Sequence, residues 1–249
     1  MDGSSVPMIR FALNGSDVSV EAAAGERLSA SLREGCGAKD VKIGCNAGDC
    51  GACTVLVDGA PVCACLMATA QAAGRKVETL AGVRESAEGV ALAEAFQNHG
   101  AAQCGICTPG MMVSAVAWMR SRNGSVEDAL GGVLCRCTGY RKILDAVAEA
   151  ADGGGAALIG TGAMGSSIRR LDGVDKIRGT ERFGDDVAAA DVAVVHVVRS
   201  PFSRAAFRFG DLEGFKTHTD APLARGLLKP SACTDTNKSA RFFRAISVR

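Results

Sequence analysis

Residues 44–65 read GCNAGDCGACTVLVDGAPVCAC and place five cysteines in one short run. The chain has 249 residues and eleven cysteines. Its N-terminus, MDGSSVPMIRF, has neither the basic lead nor the apolar stretch of a secretory signal, so a cytoplasmic setting is expected. Disulfides are disfavoured there, and clustered cysteines are more often metal or redox ligands. Eight of the eleven fall into two sets. These are Cys45, Cys50, Cys53 and Cys65, then Cys104, Cys107, Cys135 and Cys137; Cys36, Cys63 and Cys233 are left over.

Working outward from the first set, Cys45, Cys50 and Cys53 follow C-x4-C-x2-C. This is plant-type ferredoxin spacing, completed by a distant fourth cysteine. Two irons bridged by two sulfides need two thiolates each. A loop folded over them offers three, and a nearby strand end offers the last, which is Cys63 or Cys65. Gly44, Gly48 and Gly51 let backbone N–H groups approach anionic sulfur. Structural zinc favours paired short knuckles, which this loop is not.

On either side of the loop the sequence alternates. MIRFAL and VSVEA flank Asn14-Gly15, and ACTVLV and PVCAC flank Asp58-Gly59, so two hairpins are predicted. A helix over 26–34 carries Leu28 and Leu32 on one face, and KVETL closes the set as a strand. From Ala87 the period becomes helical. EGVALAEAFQ ends near Gly100, Thr108-Pro109 opens MMVSAVAWMRSR, and Ser125 and Asp128 cap SVEDAL. Thr138 opens GYRKILDAVAEAA, striped by Ile143, Leu144 and Val147.

The second set is a C-x2-C and a C-x-C, which alone is also compatible with zinc. Each pair is expected just ahead of a helix N-terminus, where free N–H groups and the dipole stabilise thiolates. No histidine takes part, which excludes a Rieske-type centre.

GCNAGDCGACTVLVDG with CACL, then QCGICTPGM, then CRCTGYRKI, resembles the paired iron–sulfur domains of the molybdenum hydroxylases, the xanthine dehydrogenase and aldehyde oxidoreductase family. The resemblance covers residues 8 to about 150. It implies an α+β fold: a β-grasp, ferredoxin-like 2Fe–2S domain over 1–84, followed by an all-α four-helix 2Fe–2S domain over 85–152. It places the fourth ligand of the first set at Cys65, leaving Cys63 spare. It also matches Gln103 and Cys137 to residues that approach the molybdopterin. The implied role is to pass electrons from that centre through both clusters to an external acceptor such as a separate flavin subunit.

After DGGGAALIGTGAMGSS, read as a glycine-rich linker over 153–170, RLDGVDKIRGTERFGDDV and VVRSPFSRA resemble the opening of the molybdenum-binding part. Residues 171–249 are therefore expected to be an incomplete, partial α/β start of a hammerhead-like molybdopterin-binding domain. The molybdenum would be held mainly by missing or partner domains. The linker is too short for a flavin domain, which needs roughly 50 residues or more. The patternless sequence beyond Phe215 favours a truncated or frameshifted product over a fragment completed by another chain. Gly160, Gly162 and Gly165 spell G-x-G-x-x-G without the strand and helix that a dinucleotide site needs. His99 is expected to compensate a helix dipole.

A net charge of +1 and an aromatic content of 4% argue against a nucleic-acid partner, and no run of eighteen apolar residues exists to span a membrane. The expected function is thus the electron-transfer portion of a molybdenum hydroxylase. The alternatives are a stand-alone two-cluster carrier and a zinc-stabilised binding module.

Overall fold

The computed structural model describes residues 6–23, 25–153, 162–166, 168–187, 194–196 and 244–247. Two hairpins begin the sheet. Strands β1 (Met8–Leu13) and β2 (Ser16–Glu21) meet at Asn14-Gly15, and β3 (Thr54–Val57) and β4 (Ala60–Cys63) meet at Asp58-Gly59. All four turn residues have positive φ, as a two-residue type I′ turn requires. Strand β5 (Lys76–Glu78) lies between the hairpins, parallel to β1 and antiparallel to β3, giving the order β2-β1-β5-β3-β4.

Alternation sends Phe11, Leu13 and Val20 to the inner face. Helix α1 (Leu28–Ala30) covers that face and runs on into a π-helical turn, Ser31–Gly35. Leu28 and Leu32 are both fully buried there. Strand β3 is buried on both sides. Val55 and Val57 face this first core, whereas Leu56 points the other way, into the core built by the helices.

The helical part contains α2 (Leu80–Val83), α3 (Ala87–His99), α4 (Thr108–Ser121), α5 (Val126–Leu130) and α6 (Arg141–Ala151). Helix α3 is capped by the Ser86 hydroxyl, which accepts from Gly89 N–H, and stops at a left-handed Gly100. Met111 and Met112 fill the centre, and α6 packs Ile143, Ala146 and Val147 against α3. His99 Nε2 lies 2.6 Å from Glu149 Oε2 of α6, so it pairs between helices as well as sitting at a helix end.

Three features differ from the expectation. Helix α4 is entered from Cys107 at the cap position, with Thr108 already in the first turn. Helix α6 starts at Arg141, because Thr138–Tyr140 form a tight turn whose last residue has a φ of 67°. The stretch taken as leading out of the linker contains a further helix, α7 (Gly173–Arg178), which buries Ile177 and packs on α3 and α4. Residues Met1–Glu181 form one compact unit. The second unit, Arg182–Arg249, contains a 3-10 turn, Gly184–Asp186, and an antiparallel pair of strands, β6 (Val194–His196) and β7 (Arg244–Ser247). Gly160, Cys233 and most of the expected hammerhead-like segment lie outside the described residues.

Candidate metal centres

The first centre is a curled loop. Positive φ at Asn46, Gly48 and Gly51 winds residues 45–51 so that N–H groups point inward. Ala47 N–H and Cys50 N–H donate to Cys45 Sγ at 3.3 and 3.4 Å, and Cys45 N–H donates to Cys50 Sγ at 3.3 Å. On the inner side, Cys65 N–H donates to Cys53 Sγ at 3.4 Å. The loop is tied to β3 by Thr54, whose N–H and hydroxyl both donate to the Gly51 carbonyl. Arg27 Nη1 holds the Asn46 carbonyl at 2.7 Å.

The sulfurs therefore fall into two pairs: Cys45 with Cys50 outside, and Cys53 with Cys65 buried inside. Cys63 ends β4 while Cys65 sits in the turn beyond it, so the two point differently; the Cys63 thiol lies 3.9 Å from the Gly48 carbonyl. The N–H groups of Ala47 and Cys50 draw the Cys45 thiol down to about 7. Burial pushes Cys53 up to about 12.

The second centre repeats this division. Cys104 and Cys137 form an exposed pair, and Cys107 and Cys135 an inner one, the members of each pair close enough to shift one another's ionisation. Burial, reinforced by the Cys135 sulfur, pushes Cys107 up to about 12. Burial also works against ionisation of Cys135, but the Thr138 hydroxyl and the N–H groups of Cys137 and Thr138 outweigh it and hold that thiol below its usual value.

The Cys135 backbone is fixed by a residue the sequence reading had not singled out. Cys135 N–H donates to Tyr140 Oη at 2.8 Å, and that hydroxyl donates onward to the Val133 carbonyl at 3.0 Å. Thr138 Oγ1 lies 3.1 Å from Cys135 Sγ and accepts from Tyr140 N–H. Only tertiary geometry reveals this role, although Tyr140 lies within the CRCTGY motif. Gln103 is exposed beside Cys104.

The two loops touch. Leu134 N–H donates to the Cys50 carbonyl at 2.9 Å. At Gly51 a Cβ would lie 2.1 Å from the Gly132 carbonyl oxygen, and at Gly110 it would lie 2.4 Å from the Gly51 carbonyl. Glycine is thus required at Gly51 by close approach as well as by its φ of +66°.

These residues suit diiron clusters. All eight candidate donors are sulfur, they come two and two as a bridged iron pair requires, and backbone N–H groups already point at the sulfurs. Burial favours the thiol form of Cys53 and Cys107, which would lose their protons to solvent as the sulfurs took up a metal.

A fold of this kind, with two all-cysteine sites, defines an iron–sulfur protein. Residues 11–81 match the family model of the 2Fe–2S iron–sulfur cluster binding domain, and residues 79–148 match that of the 2Fe–2S binding domain. The nicotinate dehydrogenase small FeS subunit of Eubacterium barkeri is 42% identical over 58% of this chain and 94% of its own. The xanthine dehydrogenase iron–sulfur-binding subunit of Escherichia coli O157:H7 is 37% identical over 60% of this chain and 97% of its own. Among solved structures, the aldehyde oxidoreductase of Desulfovibrio desulfuricans superposes with a TM-score of 0.71 at 32% identity. That match covers 79% of this chain and 24% of that one. The chain belongs to the xanthine dehydrogenase and aldehyde oxidoreductase family of molybdenum hydroxylases, as an iron–sulfur electron-transfer component.

Proposed function

We propose that Cys45, Cys50, Cys53 and Cys65 hold one 2Fe–2S cluster and that Cys104, Cys107, Cys135 and Cys137 hold the other. The observation that carries this reading is the division of each quartet into an outer and an inner pair. When bound, such clusters supply one-electron chemistry. What the chain contributes is ligation, burial of the inner pair, and N–H groups aimed at sulfur, which favour the anionic state.

The exposed face of the second centre, with Gln103, Cys104 and Cys137, is where a molybdopterin held by a molybdenum-binding subunit or domain would approach. Electrons would enter there, cross at the Leu134–Cys50 joint, and leave from the Cys45 side to an external acceptor such as a separate flavin subunit. Within this reading residues 1–84 are the ferredoxin-like domain and 85–152 the four-helix domain, to which α7 adds a further packed helix. Residues 171–249 begin the molybdopterin-binding part. The extent of the match to the aldehyde oxidoreductase supports that last assignment. The cysteine usage is in keeping with a cytoplasmic location. No helix among the described residues is long and apolar enough to cross a membrane.

Anaerobic reconstitution followed by iron counting and electron paramagnetic resonance tests the proposal. About four irons per chain and two distinguishable reduced signals are expected. A colourless product that binds zinc instead would overturn it. Capture of a molybdenum-containing partner separates a hydroxylase component from a stand-alone carrier.

A further inference from the structure

We propose that residues 168–181 are a strap over the second centre, and that Lys176 is its positioning residue, fixing a positive charge beside the Cys104–Cys107 loop that raises the reduction potential of the cluster there. The inference rests on reading that centre as a cluster site.

The strap is stitched down along its length. Arg169 Nε and Nη2 donate to Asn98 Oδ1 at 3.1 and 2.7 Å, and Gln97 Nε2 donates to the Arg170 carbonyl at 3.1 Å. Further on, Arg84 Nη1 holds the Arg178 carbonyl at 2.8 Å, and Lys42 Nζ holds that of Glu181 at 3.1 Å. Ile177 is 3% exposed, and Gly179 passes so close to Asp40 that a Cβ there would lie 2.9 Å from Asp40 Cβ. The segment is docked at both ends and anchored in the middle.

At its centre the stem of Lys176 lies on Gly105, the residue directly after Cys104. A Cβ on Gly105 would lie 2.7 Å from Lys176 Cγ and 2.9 Å from its Cβ. Only glycine leaves room for the lysine, and the lysine side chain is 11% exposed, low for this residue type. Its ammonium is bonded to Asp172, whose carboxylate also takes both Arg170 Nε at 2.9 Å and Nη2 at 2.8 Å. Two cations therefore share one anion in a fixed arrangement, leaving a surplus positive charge. A cluster becomes more negative on taking an electron, so a cation held nearby in a partly desolvated place stabilises the reduced form. The first centre, on a different loop, serves as the internal control.

The test is a potentiometric titration of the reconstituted full chain, followed by electron paramagnetic resonance. The two signals are assigned beforehand with Cys53→Ala and Cys107→Ala. Lys176→Met keeps the stem and removes the charge; the second-centre potential should become more negative while the first stays put. Lys176→Arg should restore it. Asp172→Asn removes the opposing charge and should move the same potential the other way. Equal shifts at both centres, no shift in either Lys176→Met or Asp172→Asn, or an arginine variant that behaves like methionine would overturn the role of Lys176. Absence of both signals in the unmodified chain would instead overturn the cluster assignment itself, and this inference with it.

Discussion

The N–H of Leu134 donates to the carbonyl of Cys50 across 2.9 Å, so the two cysteine loops are joined by a backbone hydrogen bond. One end of that bond belongs to a residue of the first set; the other adjoins Cys135 of the second.

Leu134→Pro removes the donor and is expected to disturb both resonance signals and slow electron passage between the centres. Leu134→Ala keeps the N–H and should leave both signals intact, because the leucine side chain is exposed. Rapid-freeze resonance after one-electron reduction measures the difference.

Cys65 and Cys63 are two residues apart yet differently placed, one buried against Cys53 and the other reaching toward Gly48. Cys65→Ala should lower iron from about four to about two per chain and abolish one signal. Cys63→Ala should do neither, as iron analysis and visible absorption will report.

Tyr140→Phe strips the hydroxyl that serves both Cys135 N–H and the Val133 carbonyl. Leaving these groups unpaired in a half-buried site costs about 1–3 kcal/mol. The melting temperature should fall by several degrees, and only the second-centre signal should change line shape.

Gly51→Ala forces a methyl into the Gly132 carbonyl and strains a left-handed residue. The backbone strain alone costs about 1–2 kcal/mol, and the overlap adds to it. Denaturant unfolding should show a loss of at least about 2 kcal/mol, with iron retention reduced at both centres.

Much of this was legible in the sequence wherever a local rule governs the backbone. Asn14-Gly15 and Asp58-Gly59 announce their hairpins because so few residues accept positive φ in succession. The C-x4-C-x2-C spacing announces the first curled loop because three sulfurs at such short intervals must share one turn of backbone. The start of α6 was not legible. Thr138 looks like a cap, but Tyr140 is tied to Val133 and Cys135, and this delays the helix to Arg141. Nor was α7, a short helix with one deeply buried aliphatic side chain, Ile177. The residues just ahead of it are tied to α3 by arginine and glutamine bonds that no periodicity records. The π-helical turn at Ser31–Gly35 also escaped, since Leu28 and Leu32 repeat as in an ordinary helix.

Leu56 gives strand β3 two interiors to serve, with its neighbours Val55 and Val57 turned toward the other one. Splitting the gene between the sheet and the helices would therefore open a greasy seam on each product, with about 1.5–3 kcal/mol forfeited at this one leucine. Heating the intact unit should accordingly yield a single calorimetric peak, and the halves should be shuffled through evolution as a couple instead of as separate cassettes.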